Sequence, residues 1–424
     1  MRIAYFGATP DSADGVPYMA LQMLVGLAEH GLEIDCYLPV LIAPLPAELE
    51  RTGINVVTAP GRWQPGNWYS RGPLTKFVSG QAARAVGQRK LREIFQSRHR
   101  QLPYAALYQF SQIESFGSTG PATPPIVLHP EVHAAGELKW WRAEARLLRR
   151  CEPLGRRVAV RAMLETRAAL QRRHIHRAAR VVAPSRTFAD ELSGDYGVAP
   201  DRLVVVPNPI NMSRFEPKPS DRPIGTDGPL RIVFVSRIAV RKGVEMVVEL
   251  SKRLSDLKSR VQIDVIGDRT LWCDYRPLLT DLHPSVARYQ GRVPPEEVGP
   301  LVAGAAMLIQ PSHYEPFALT VGEALASGTP VIASDVVGAI EGVAADCCRT
   351  FRAGNAGELE LRVRQLLADM ADPSTERRIR SLARAEAERL FAPSRVTADL
   401  TAIFHELQTE PPTFSDERYL SHSR

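Results

Sequence analysis

The chain is 424 residues long, with 44% apolar and 24% charged residues, 29 Gly and 34 Pro. At roughly 100 to 200 residues per domain, that length predicts two or three domains with cores of their own, and it excludes a small stapled or metal-nucleated fold as well as a disordered or collagen-like chain. The formal charge of +6 is uneven, because between Lys139 and Arg180 thirteen Lys or Arg stand against only Glu144, Glu152 and Glu165.

The opening residues MRIAYFGATP put Gly7 and Pro10 where a secretory leader keeps its apolar run, so they read as the first strand of a cytoplasmic protein. No apolar run approaches the ~18 residues of a membrane span. Short apolar runs alternate with amphipathic stretches, which predicts an α/β fold of parallel sheets covered by helices. In the first half the strands fall at Ile3–Phe6, Ile34–Leu38, Val56–Ala59, Ala106–Gln109, Ile126–His129, Val181–Ala183 and Leu203–Val206. The Pro-rich, charged stretch from Pro207 to Pro229 reads as an interdomain linker. Beyond it, strands are expected at Arg231–Val235, Gln262–Ile266, Ala306–Gln310 and Val331–Ala333. Helices are expected near Val244–Leu257, Glu296–Ala303 and Thr320–Ala326, with further helices over Gly357–Leu407 and a frayed polar end from Gln408 to Arg424. The five cysteines carry no C-x-x-C spacing and predict neither a disulfide framework nor a zinc site.

Two segments carry chemistry. In Val235-Ser-Arg-Ile-Ala-Val-Arg-Lys-Gly243 an apolar strand ends at Arg237 and reaches Lys242 at the start of a helical run. A diphosphate there would meet a forked guanidinium, an ammonium and the amides of a helix start. In Pro311-Ser-His-Tyr-Glu-Pro-Phe-Ala-Leu-Thr-Val-Gly-Glu323, Pro316 disfavours a helical Glu315, so the helix is expected to begin near Thr320 and to stop at Gly328. Glu323, one turn in, suits the vicinal hydroxyls of a ribose, and Glu315 lies on the side of an attached sugar. Taken singly, each of these residues is also explained as a loop charge or a favourable first-turn acid.

Together the S-R-x(4)-K-G turn and the E-P-F-x(5)-E segment with its A-L-A-S-G-T-P-V-I-A-S continuation resemble the nucleotide-sugar half of retaining glycosyltransferases of family 4. Further similarity lies in Arg180-Val-Val-Ala-Pro-Ser185, Val204-Val-Val-Pro-Asn208, Gly291-Arg-Val293, Gly338-Ala-Ile-Glu341, the loop at Gly15 and Ile126-Val-Leu-His129. The resemblance implies a GT-B fold, two facing Rossmann-like doubly wound domains with a cleft between them. The expected division is an acceptor-binding domain over 1–210, a nucleotide-sugar domain over 211–390, and a helix with a polar tail over 391–424 that returns to the first domain.

The same resemblance implies that Arg237 and Lys242 neutralise the donor diphosphate, that Glu323 holds the ribose and Glu315 the transferred sugar, and that Phe317, Ala318, Leu319 and Thr320 line the phosphates. It also implies Gly15 in the donor loop and His129 near the anomeric carbon, with His133 as a less well placed competitor. Three departures stand out: Ala318 where the family usually has Gly, Pro209 after Asn208 where it has Gly, and Asp14-Gly15-Val16-Pro17 where it has paired glycines.

The expected activity is that of a hexosyltransferase that moves sugar from a nucleoside-diphosphate sugar to a small-molecule, glycan or lipid-linked acceptor with retention of configuration. The chain has no Asp-x-Asp, so no metal and no other cofactor is expected. Residues 139–180, with Trp140 and Trp141, either meet an anionic membrane, at its inner face, or hold an anionic acceptor, or form a solvated helical face whose apolar side packs on the first sheet. Nucleic acid is not an expected partner, since no recognition motif accompanies the charge. A sugar-nucleotide epimerase of the same architecture and an inactive scaffold are the rival readings.

Overall fold

The computed structural model describes residues 1–12, 15–38, 45–59, 74–111, 113, 123–217, 228–270 and 273–409. Asp14, residues 218–227 of the Pro-rich stretch and the tail from 410 lie outside them. The first sheet holds β1 (Arg2–Phe6), β2 (Glu33–Leu38), β3 (Asn55–Thr58), β4 (Ala106–Phe110), β5 (Ile126–His129), β6 (Arg180–Ala183) and β7 (Leu203–Val205). The strands are parallel, in the order β3-β2-β1-β4-β5-β6-β7. Every residue of β4 and β5 is buried, so these strands read as near-continuous apolar runs, broken only by the buried Gln109 and His129, rather than as an alternation. The helices of this half are α1 (Gly15–Glu29), α2 (Ala47–Arg51), α3 (Leu74–Gln101), α4 (Ala134–Ala143), α5 (Ala145–Cys151), α6 (Leu154–Ile175) and α7 (Arg186–Tyr196).

The second sheet repeats the plan with β8 (Leu230–Val235), β9 (Val261–Ile266), β10 (Ala287–Gly291), β11 (Met307–Gln310), β12 (Val331–Ser334) and β13 (Cys348–Phe351), parallel and ordered β10-β9-β8-β11-β12-β13. Its helices are α8 (Val244–Arg253), α9 (Pro295–Ala303), α10 (Leu319–Ala326), α11 (Ala356–Asp369), α12 (Pro373–Phe391) and α13 (Pro393–Thr409). Two α/β units of GT-B type result. The helix read over Val244–Leu257 ends at Arg253 and gives way to a 3-10 turn, Ser255–Leu257.

Three features tie the halves together. Helix α13 returns to the first sheet, where Val396, Leu400, Ile403 and Phe404 are buried with Ile3, Tyr5 and Leu24. Gly26 of α1 permits this approach, since a Cβ there would lie 2.4 Å from Thr397. The described part of the Pro-rich stretch is packed rather than slack: Ile210 and Phe215 are buried in the core of the second sheet. The Arg384 guanidinium donates to the carbonyls of Met212 and Phe215 in this stretch and of Ala326 at the end of α10, which satisfies backbone acceptors left without a partner in a strand or helix.

The basic segment is the third tie. It folds as α4, α5 and α6, and its apolar side packs not only on the first half, as expected, but on the second: Leu148 is buried in the core of the second sheet with Trp141, Leu147 and Cys151 packed beside it. Glu144 accepts from Tyr275 Oη at 2.6 Å, and Glu152 accepts from the Asp274 amide at 2.7 Å. Two of the three glutamates in the segment thus face the other half of the chain. Among the described residues no helix is long and apolar enough to cross a membrane.

Candidate active site

In sheets of this order ligands bind beyond the carboxyl ends of the strands. Here those ends meet across the two halves. Tyr314, after β11, bonds through its hydroxyl to His133 Nδ1, after β5, at 3.0 Å. Ser185, after β6, donates to the carbonyl of Pro316 at 2.7 Å. Glu341, after β12, accepts from the amides of Arg186 and Thr187 at 2.7 and 2.8 Å and so caps α7 from the other half. Glu315 therefore sits in a loop held on both sides by the first half.

Glu315 of that loop forms an ion pair with Lys242 from the turn after β8, the carboxylate buried and the ammonium largely so. Lys242 ends a 3-10 turn, Val240–Lys242, and Gly243 follows with φ +77. A Cβ on Gly243 would stand 1.9 Å from the Pro311 carbonyl oxygen, so only glycine lets the turn lie against the Glu315 loop. The amides of His313 and Tyr314 both donate to the Arg241 carbonyl, at 2.8 and 3.2 Å. Burial draws Lys242 down to about 8, and the charges of Arg241 and Arg237 push the same way against the pull of Glu315. Arg237 is itself exposed at the end of β8.

A buried polar chain continues from the pair. Ser312 Oγ donates to Glu315 at 3.5 Å, Gln310 Nε2 donates to Ser312 Oγ at 2.8 Å, and Thr320 Oγ1 donates to Gln310 Oε1 at 3.2 Å. Thr320 lies in the first turn of α10, so the helix start is tied to the Glu315 loop. Ala318 precedes that helix at φ +83, ψ 88. The Phe317 ring is buried edge-on against Phe391 at 5.5 Å, which leaves its backbone rather than its ring for a ligand. Leu319 opens α10 half-buried, packed against both cores. Glu323 lies one turn further on. Tyr18 of α1 titrates upward, chiefly through burial, with a contribution from the Glu323 charge, so Glu323 is within electrostatic reach of α1.

On the first sheet, His129 ends β5 fully buried, with Nδ1 2.9 Å from Tyr108 Oη. Burial holds its imidazole down at about 3, so the ring is neutral at ordinary pH. His133 has different partners, Asp195 at 2.7 Å and Tyr314, while Trp140 stacks on His313 and Tyr314 at ring distances of 5.6 and 6.4 Å. Gly15 opens α1 at φ +63, beyond the end of β1, in space where a Cβ would meet nothing within 4 Å.

The structure thus pairs Lys242 with Glu315 near Arg237, sets Thr320 on the same polar chain, and keeps His129 on the facing sheet with a partner of its own. The sequence reading missed Gln310, Ser312 and Tyr314 as supports of Glu315, although all three lie in or beside the segment it singled out. It also missed Glu131, whose signal was a carboxylate set between two histidines in an apolar run. Among the described residues no group of three or more His, Cys, Asp or Glu is placed to hold a metal ion.

Residues 219–385 match the model of glycosyl transferases group 1, and residues 132–214 that of glycosyltransferase family 4. The MMP alpha-(1->4)-mannosyltransferase of Mycolicibacterium hassiacum is 27% identical over 368 residues, 85% of this chain and 80% of that protein. A D-inositol 3-phosphate glycosyltransferase of Thermobispora bispora is 31% identical over 173 residues, but that match spans only 40% of its length. Sucrose-phosphate synthase of Thermosynechococcus elongatus shares the fold with a TM-score of 0.69 at 18% identity, covering 96% of this chain and 98% of that one. Anabaena HepE, solved in complex with UDP, does so with a TM-score of 0.63 at 17% identity, covering 96% and 100%.

Proposed function

This chain belongs to the group 1 glycosyltransferases of family 4, and from that premise we propose that it moves a hexose from a nucleoside-diphosphate sugar to an acceptor hydroxyl, with retention of configuration and without a metal. The observation that carries the reading is the ion pair of Lys242 with Glu315, beside Arg237, where the Glu315 loop is held against the sheet of His129. Related proteins support a sugar nucleotide as donor, since one is named a mannosyltransferase and HepE binds UDP and UDP-glucose.

In this reading Arg237, Lys242 and the amides at the start of α10 stabilise negative charge as it grows on the departing diphosphate. Glu323 accepts from the ribose hydroxyls, and Glu315 from the hexose. The bond from the anomeric carbon to the phosphate oxygen breaks as the acceptor oxygen bonds to the same face. The acceptor proton passes to the departing phosphate, so no protein nucleophile is required. The absence of an Asp-x-Asp sequence supports a diphosphate held by cations of the protein.

The acceptor is a small molecule, a glycan or a lipid-linked sugar. A peripheral contact with an anionic bilayer belongs to the same proposal, because Leu154 and Val158, one turn apart on α6, are 67% and 58% exposed in a segment whose Arg146, Arg149 and Arg161 are exposed as well.

The test is hydrolysis and transfer with a panel of UDP-, GDP- and dTDP-hexoses, run with and without chelator. Turnover is expected with one nucleotide and unchanged by chelator, and Lys242→Ala and Glu323→Ala should each lose at least 100-fold while remaining folded. Wild-type turnover in both variants would refute the site, and restoration by Mn²⁺ after chelation would refute the metal-free mechanism.

A further inference from the structure

Glu131 lies in the turn between His129 and His133, at the carboxyl end of β5 and beside the contact from His133 to Tyr314. It is 8% exposed. One carboxyl oxygen, Oε2, accepts from Asn208 Nδ2 at 2.7 Å across 77 residues of sequence. The other, Oε1, has no partner and lies 3.7 Å from His129 Nε2, which has none either. Asn208 Oδ1 is a third buried polar atom left unbonded in the same cluster. Buried polar atoms without a protein partner are rare, and three together mark a place where a further polar atom would be held.

The spacing suits a hydroxyl. At 3.7 Å the two atoms are too far apart to bond each other. One hydroxyl oxygen at about 2.8 Å from each would bridge them. A hydroxyl also fits the proton count, because it donates once while accepting. With Nε2–H on the ring, His129 donates to the hydroxyl and the hydroxyl donates to the Glu131 carboxylate. With the proton on Glu131, both bonds reverse, and Nδ1–H turns to Tyr108 Oη. Burial raises Glu131 to about 7 and keeps His129 neutral, so both arrangements are open at neutral pH. A diphosphate, with acceptor oxygens only, would face the same carboxylate with repulsion.

We propose that Glu131 contacts substrate: with His129 it grips one sugar hydroxyl, while Asn208 holds the carboxyl in place. The proposal rests on the transferase reading above. The hydroxyl belongs either to the hexose being transferred or to the acceptor.

The experiment compares the full chain with Glu131→Gln, which keeps size and the reach to Asn208 but turns an acceptor into a donor. Hydrolysis and transfer are measured with UDP- and GDP-hexoses, and UDP and GDP alone are scored by thermal shift. The expected result is at least a tenfold loss of turnover with an undiminished shift from the bare nucleotide. Hydrolysis falling together with transfer assigns the hydroxyl to the donor hexose, whereas loss of transfer alone assigns it to the acceptor. Turnover within twofold of wild type in both reactions overturns the proposal, as does equal loss of the nucleotide shift. Should Glu131→Gln melt far below wild type, Glu131→Asp, which withdraws the carboxylate by one methylene, is judged by the same criteria. If wild type turns over no donor, the transferase reading fails on its own. Glu131 is then judged by free glucose, galactose and mannose: a thermal shift in wild type that Glu131→Gln lacks supports the grip, and equal shifts overturn it.

Discussion

Ala318 and Ser111 are the two non-glycine residues with positive φ, +83 and +70, among those described. Each lies beyond the carboxyl end of a strand, one in either half, and the Ser111 amide is bonded to the His129 carbonyl at 2.8 Å. Strained backbone of this kind gathers where a site over-determines it. At Ala318 the strain accounts for the family's preference for glycine: the turn before α10 needs a left-handed residue, and alanine adopts it at about 1–2 kcal/mol. Glycine returns roughly 0.4–1 kcal/mol of that through its freer unfolded chain. Ala318→Gly should therefore stabilise the protein by roughly 0.5–1 kcal/mol, seen as a rise in Tm with nucleotide binding kept. A lower Tm would mean that packing of the methyl outweighs the backbone term. The sequence marked Ala318 as a departure but could not show a dihedral angle.

Between elements, Gly338 does for the interface what Gly243 does for the Lys242 turn. A Cβ there would stand 2.1 Å from the Pro316 carbonyl oxygen and 2.5 Å from Ser185 Oγ, where three elements cross. Gly338→Ala has to push the Glu315 loop and α7 apart, at roughly 1–3 kcal/mol. We expect at least a tenfold loss of turnover with secondary structure unchanged by circular dichroism; full activity would show that the two halves need not touch there. Strand and helix placement was legible where patterns are local, as in β1, β5 and α10. The edge strands β10 (ARYQG) and β13 (CRTF) were not, because they are short and carry polar residues, and pairing with β9 and β12 makes them strands.

Considered whole, the molecule uses its most basic segment twice. The inner side of α4 and α5 clasps the second half through Leu148, Glu144 and Glu152. Elsewhere in the segment Leu154 and Val158 of α6 are exposed, and so are Arg146, Arg149, Arg173 and Arg177. Basic residues near an anionic surface contribute about 1 kcal/mol each, within a Debye length of about 10 Å at 0.1 M salt. The full chain should float with phosphatidylglycerol vesicles at low salt, not with phosphatidylcholine alone, and Leu154→Glu with Val158→Glu should reduce flotation several-fold. Failure to float on anionic vesicles at low ionic strength would remove the bilayer as a partner.

The α/β alternation, the order of the cation turn and the two glutamates, and the basic segment are properties of neighbouring residues, and periodicity, turn chemistry and spacing are enough to express them. The contacts that make a site of them are not local. Lys242 meets Glu315 across 73 residues, Asn208 meets Glu131 across 77, and His133 meets Tyr314 across 181. Burial sets the proton affinities of Lys242, His129 and Glu131, and burial depends on which distant side chains pack around each group. Folding alone brings these partners together.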